Sequence, residues 1–283
     1  MLAHTAVTPA GLWGAWPFDP LVMVALVSAV VAYARGYRRR RRRSAAVAAS
    51  FACGILALSV ALLSPLDAAA DALFSAHMTQ HLVLVVVAAP LLVVGRPVTT
   101  MMVGLPAGAR RTAARLRGAV TASGLSGALR KPVVAWTLLT ISLWAWHTPL
   151  LYTAALENGA IHAVEHASFL LTSMLAWSVA LSGRPANALG ALGRALFLVA
   201  TALQGAVLGA LLLFARTPLY PVHGRGPWLW GLTPLEDQQL AGALMWIPPS
   251  VVYLAVAAGI LVIAFKTPGI EARPERVRAR MVT

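Results

Sequence analysis

His77 and His81 stand four residues apart, and so do His162 and His166. On an α-helix of about 3.6 residues per turn, an i,i+4 pair projects from one face, so each pair can grip a single ion or cofactor. His147 is a fifth histidine inside an otherwise apolar stretch. Histidine is costly in lipid, so in a membrane protein it ordinarily faces the bundle interior and marks a functional site. Met78, three residues before His81, adds a thioether beside the first pair. Glu165, three residues after His162, can orient an imidazole or bind an ion itself. In LEDQQLAGALMWIPP, Gln238, Ala241, Gly242 and Met245 share one helical face, with two small residues between two candidate ligands. Asp237 precedes them. Imidazole with thioether suits copper, above all the cuprous ion, while imidazole alone also suits zinc or haem iron.

Plainer roles exist for several of these residues. A histidine at a helix end ordinarily serves as a hydrogen-bonding group, which covers His147. Met78 and Met245 can be packing residues, and His4 and His223 read as solvated loop residues. Asp237 can favour a helix N-terminus through its dipole. The two i,i+4 pairs taken together are harder to explain structurally.

Positioning these groups takes a membrane bundle. Apolar residues make up 59 % of the chain and charged residues 11 %, with a mean hydropathy of +0.75. A soluble domain carries about 45–50 % and about 25 %. The net charge of +14 would suit nucleic acid, but the positive residues sit in short segments between apolar runs, where they act as topology signals. Membrane lipid, and not nucleic acid, is the expected partner. The single cysteine, Cys53, cannot form an internal disulfide and reads as a small apolar packing residue. The lack of paired thiols fits a site on an oxidising, outward face. The start, MLAHTAVTPAGLWGAW, has no basic region and no cleavage site, so no signal peptide is expected to be removed.

Seven apolar segments approach the roughly 20 residues needed to cross a bilayer. They fall at 19–36, 45–63, 72–95, 132–151, 159–182, 190–214 and 236–265. The expected fold is an all-α integral membrane protein, a seven-transmembrane helix bundle over 19–265. An extracytoplasmic segment, 1–18, precedes it, and a basic tail, 266–283, follows. Pro248-Pro249 should kink or break the last span. The piece ARRTAARLRG, within a basic loop at 96–131, should lie on the membrane surface. Arg35, Arg38 to Arg43, the loop cations, Arg184, Arg194 and the tail put 21 of 23 positive residues on one side, against Arg216 and Arg225. The positive-inside rule then places the N-terminus outside and the C-terminus in the cytoplasm. On that topology every histidine falls toward the outer face.

Four stretches resemble the seven-span cytochrome c oxidase assembly factor CtaG family: HMTQHLVLVVVAAPLLVVGRP at 77–97, WHTPLLYTAAL at 146–156, HAVEHASFLLTSMLAW at 162–177, and LYPVHGRGPWLWGLTPLEDQQLAGALMWIP at 219–248. Ala89-Pro90, where two prolines are usual, and Pro249, where a glycine is usual, depart from the family pattern in helix shape. The resemblance implies a non-enzymatic factor in the bacterial cell membrane. It would help mature a haem–copper oxidase, with oxidase subunits as partners and copper as the metal supplied. It also implies that His77, Met78, His81, His147, His162, His166, Asp237 and Gln238 are the functional set; Met245 joins them from the residue pattern.

Other functions are weaker fits. A haem-binding electron-transfer protein with two axial histidines is the main alternative. His162-Ala-Val-Glu165-His166 has the H-x-x-E-H form of inverted zinc proteases, but no third ligand follows on its own helix. A retinal protein would need a lysine within the seventh span, and Lys266 lies at its end. A copper transporter would need a ligand ladder through the inner halves of the helices, which the sequence lacks.

Overall fold

The helix starts are written in local chemistry. Asp19 accepts hydrogen bonds from the backbone N–H groups of Leu21 and Val22, with Pro20 at the first helical position, so α1 begins there and runs over Pro20–Arg39. Ser44 caps α2, Ala45–Leu63, through the N–H of Val47. Ser64 and Pro65 then start the short α3, Pro65–Ala72. The computed structural model describes residues 7–41, 43–181 and 189–266. His4, Arg42, Arg184 and the tail cations Arg273, Arg276, Arg278 and Arg280 lie outside the described residues.

Among the described residues every regular element is helical. After α3 come α4 (Phe74–Leu82), a π-helical stretch (Val83–Ala88) and α5 (Ala89–Gly95), which form one rod. They are followed by α6 (Pro97–Gly104), α7 (Ala107–Ala122), α8 (Leu125–Leu129), α9 (Pro132–Trp146), α10 (Pro149–Glu157), α11 (Gly159–Leu181), α12 (Ala191–Leu213), α13 (Gly226–Leu229) and α14 (Pro234–Lys266). Among the described residues six helices are long and apolar enough to cross a membrane: α1, α2, the α4–α5 rod, α11, α12 and α14.

The expected span at 132–151 differs. α9 stops at Trp146 after 15 residues, about 22 Å at ~1.5 Å per residue. Thr148 precedes Pro149, and the proline ring pushes the residue before it out of helical conformation; Thr148 is extended and α10 starts anew. The turn sets His147 at the end of α9, where it caps that helix.

The π-helical stretch was not foreseeable from periodicity. It follows directly after His81 and precedes Pro90, which has no N–H and whose ring would clash with a carbonyl one turn back. Widening the turn relieves that clash and frees carbonyls for other donors. Trp177 of α11 takes one, donating its indole N–H to the Val85 carbonyl at 2.9 Å. Of the kink or break expected at Pro248-Pro249, the break does not occur: α14 is one helix of 33 residues through both prolines. Neighbouring elements let membrane helices tolerate such residues.

α12 and α14 pack along much of their length, with Gly209 facing Gly242. A Cβ on Gly242 would lie 2.5 Å from the Leu213 nitrogen and 2.6 Å from the Gly209 oxygen. Gly205, the other glycine of the GxxxG pattern, has open space around its Cβ position. Gly242→Val is therefore expected to destabilise the bundle by about 1–3 kcal/mol, the usual range for overpacking, and Gly205→Ala to change little. Thermal unfolding in detergent, read for both variants, checks this; equal stability would refute the close contact.

At the far end of α1, Arg39 donates to the carbonyls of Gly104 and Leu105 at 3.2 and 3.4 Å, and Arg40 reaches the Thr99 hydroxyl at 3.4 Å. Arg43 bonds the Arg38 carbonyl. Exposed α7, with no buried residue, carries Arg110, Arg111, Arg115 and Arg117 at this same end. Asp19 at the opposite end of α1 lines a cavity shared with His162 and His166. The bundle thus keeps a basic end and a histidine end.

Candidate metal centre

Two helix starts bring the histidine pairs together. α11 begins where Asn158 accepts hydrogen bonds from the N–H groups of Ala160 and Ile161, at 2.9 and 3.2 Å. α4 has no side-chain cap of its own. Asp237 reaches across from α14 and supplies one, accepting from the Phe74 N–H at 2.7 Å, the Ser75 N–H at 3.1 Å and the Ser75 hydroxyl at 2.5 Å. A carboxylate at a helix N-terminus also meets the positive end of the dipole. Each pair therefore sits one turn into a firmly started helix.

The pairs face each other. One ligand nitrogen from each of His77, His81, His162 and His166 can be chosen so that all lie within 4.8 Å of one another. Ring centroids are 4.4 Å apart for His77–His81, 4.2 Å for His162–His166, and 5.2 Å for both His77–His162 and His81–His166. Glu165 adds its carboxylate to this group. Oε2 lies 3.7 Å from His77 Nε2 and Oε1 lies 3.8 Å from His81 Nε2. Both separations exceed a hydrogen bond.

His77 and Glu165 are fully buried, His81 is buried at 5 % exposure, and His162 and His166 are half-buried. Both ring nitrogens of His77 and His81, Nε2 of His162 and His166, and both Glu165 oxygens are buried without a hydrogen-bond partner among the described residues. Each such atom costs about 1–3 kcal/mol, more when charged. Several orphaned acceptor atoms facing one point fit a cation, which would satisfy them together. The donor set of imidazoles and one carboxylate fits copper or zinc.

The other face of α4 is tied down. Gln80 donates through Nε2 to the Ala61 carbonyl at 2.8 Å and to Asp67 Oδ1 at 2.5 Å. Burial pushes the Asp67 carboxyl up to about 6, against the lowering effect of the Gln80 hydrogen bond. Asp67 and Asp19 line the cavity of about 320 Å³ that His162 and His166 also border.

The remaining sequence candidates divide. Met78 and His147 touch, with His147 Nε2 3.1 Å from Met78 Sδ. Met245 is buried and lines a small cavity with both of them. Asp237 and Gln238 have other partners than the histidine group. Asp237 spends its oxygens on the start of α4; Gln238 Oε1 accepts from the Leu219 N–H at 2.6 Å, and its amide donates to the Leu212 carbonyl at 3.5 Å. Both hold neighbouring segments in place through these bonds.

His223 is not a solvated loop residue. Its Nδ1 donates to the Asp71 carbonyl at 3.3 Å, so Nε2 accepts the Tyr152 hydroxyl at 2.6 Å. Burial holds its pKa below the usual histidine range. Tyr220 donates to the His147 carbonyl at 2.6 Å, and Phe74, Tyr152 and Tyr220 pack together in edge-on and tilted contacts beside the centre. Tyr152 packs edge-on to His77 at 5.2 Å. No spacing pattern in the sequence pointed to this aromatic cover, because its members come from three separate segments. Cys53 is exposed on α2, away from the core.

With this geometry in view, the family comparison decides the chain's kinship. A model of the cytochrome c oxidase caa3 assembly factor family matches residues 31–267, most of the chain. The chain belongs to this family. No curated protein and no solved structure gives a significant match. The matched region contains both histidine pairs, Glu165 and the capping Asp237.

Proposed function

We propose that this assembly factor holds copper transiently at the four-histidine centre and passes it to a cytochrome c oxidase subunit. The observation that carries the reading is the set of buried, unpartnered imidazole nitrogens and Glu165 oxygens around one point. His77, His81, His162 and His166 supply nitrogen ligands. Glu165 balances charge and offers an oxygen. Neutral imidazole is the metal-binding form. Copper here is cargo, so no bond-making step falls to the protein, and the role is non-enzymatic.

A haem reading fits less well. Axial histidines must stand on either side of a wide macrocycle, whereas here His77 lies 4.4, 5.2 and 6.3 Å, centroid to centroid, from His81, His162 and His166, and the other helix pair His162–His166 is 4.2 Å apart. An absorption spectrum of the purified protein separates the two, since a Soret band would support haem.

The protein is proposed to cross the bacterial plasma membrane seven times. α9 with its flanking turn would supply the span beyond the six long helices, with the N-terminus outside and the C-terminus in the cytoplasm. The histidine end then faces outward, where copper would be handed over, and the arginine-rich end faces the cytoplasm. Reporter fusions after Arg43 and after the tail are both expected to give a cytoplasmic signal. A signal from the outer side at either point would overturn this orientation.

Copper binding itself is tested by competition with a cuprous chelator, on protein purified without a histidine tag. Wild type should compete for the ion, and a His77→Ala, His162→Ala double variant should compete much less.

A further inference from the structure

His147 has a defined tautomer. Its Nδ1 lies 2.7 Å from the Leu143 carbonyl, which can only accept, so Nδ1 carries the proton. In the neutral ring Nε2 then carries a lone pair and no proton. That lone pair points at Met78 Sδ, 3.1 Å away, and a thioether sulfur has no proton to give. Two electron-pair donors therefore face each other in a buried place, with Met78 at 1 % and His147 at 6 % exposure. A ring held by a backbone carbonyl on one nitrogen, with the other left bare, is the arrangement metal-ligating histidines use.

The surroundings add donors. Met78, His147, His81 and Met245 all line one cavity of about 60 Å³, with an otherwise mainly apolar wall. That is room for an ion. His81 borders this cavity and also belongs to the four-histidine group.

We propose that Met78 and His147, with Met245, form a second and softer metal site, distinct from the four-histidine centre and selective for the cuprous ion. Thioether and imidazole in an apolar pocket favour Cu(I) over harder divalent ions. His81 borders both sites, lining this cavity and belonging to the four-histidine group. The proposal deepens the copper reading and rests on it for the metal's identity, but the site's existence stands on the Met78–His147 contact.

The test is an anaerobic titration of the detergent-purified chain with Cu(I) against a chromophoric cuprous chelator, with X-ray absorption on the loaded protein. Wild type is expected to take up two copper ions per chain and to show sulfur in the metal's coordination shell. Met78→Leu, which conserves volume, should take up one ion and lose the sulfur signal. Met245→Leu should weaken the sulfur signal. His77→Ala with His162→Ala should lose the other ion and keep the sulfur signal. A nitrogen-only shell in wild type, or an unchanged stoichiometry in Met78→Leu, would overturn the second site while leaving the four-histidine reading intact. A single ion with sulfur that survives His77→Ala with His162→Ala would support this site and remove the other.

Discussion

Replacing His77 by alanine is expected to weaken copper binding at the four-histidine centre by at least about 100-fold, since even outer partners of metal ligands are worth roughly 10–100-fold in affinity. His77 is fully buried and meets three other imidazoles and Glu165. The chain should remain in the membrane, because alanine inserts into an apolar span at least as readily as histidine. In cells the expected pattern is lower oxidase activity with normal haem content, partly restored by added copper. His81→Ala should behave alike and, because His81 also lines the Met78 cavity, disturb that cavity as well. Full oxidase activity of both variants at limiting copper would contradict copper delivery by this centre.

Asp237→Ala is expected to cost about 2–4 kcal/mol. It removes the side-chain acceptor that the Phe74 and Ser75 N–H groups have among the described residues, and an unsatisfied buried donor costs about 1–3 kcal/mol. Asp237→Asn keeps one carbonyl oxygen and should retain part of that stability. Because the cap fixes the start of α4, Asp237→Ala should also loosen the position of His77 and weaken copper binding, though less than His77→Ala. Thermal unfolding together with a copper titration on the same samples reads both effects. A ligand role for Asp237 predicts the opposite ranking: a large loss of copper affinity with little change in unfolding temperature.

Much of this architecture is legible in the sequence because a bilayer imposes simple rules. Apolar run length marks the long helices, and i,i+4 spacing gives each histidine pair one direction. The inward turn of both pairs follows from the cost of polar groups in lipid. Long-range hydrogen bonds are not legible in this way. Asp237 and Gln238 look like ligands beside Met245 because all three lie on one helix, yet their partners Ser75 and Leu219 are far off in the chain. His223 looks solvated until Tyr152 and the Asp71 carbonyl are brought to it. The shortened α9 was readable in principle, since Thr148-Pro149 is a local stop signal that the apolar run conceals. The π-helical stretch was not, because periodicity says nothing about which carbonyl an amide chooses.

His77, His81, His162 and His166 are proposed to hold copper. Equilibrium dialysis of untagged protein against cuprous ion under reducing conditions, side by side with the His77→Ala, His162→Ala double variant, tests it most directly. Wild type is expected to retain one more copper per chain than the double variant, with no Soret absorbance in either. Equal copper in the two proteins, or none in wild type, would contradict it.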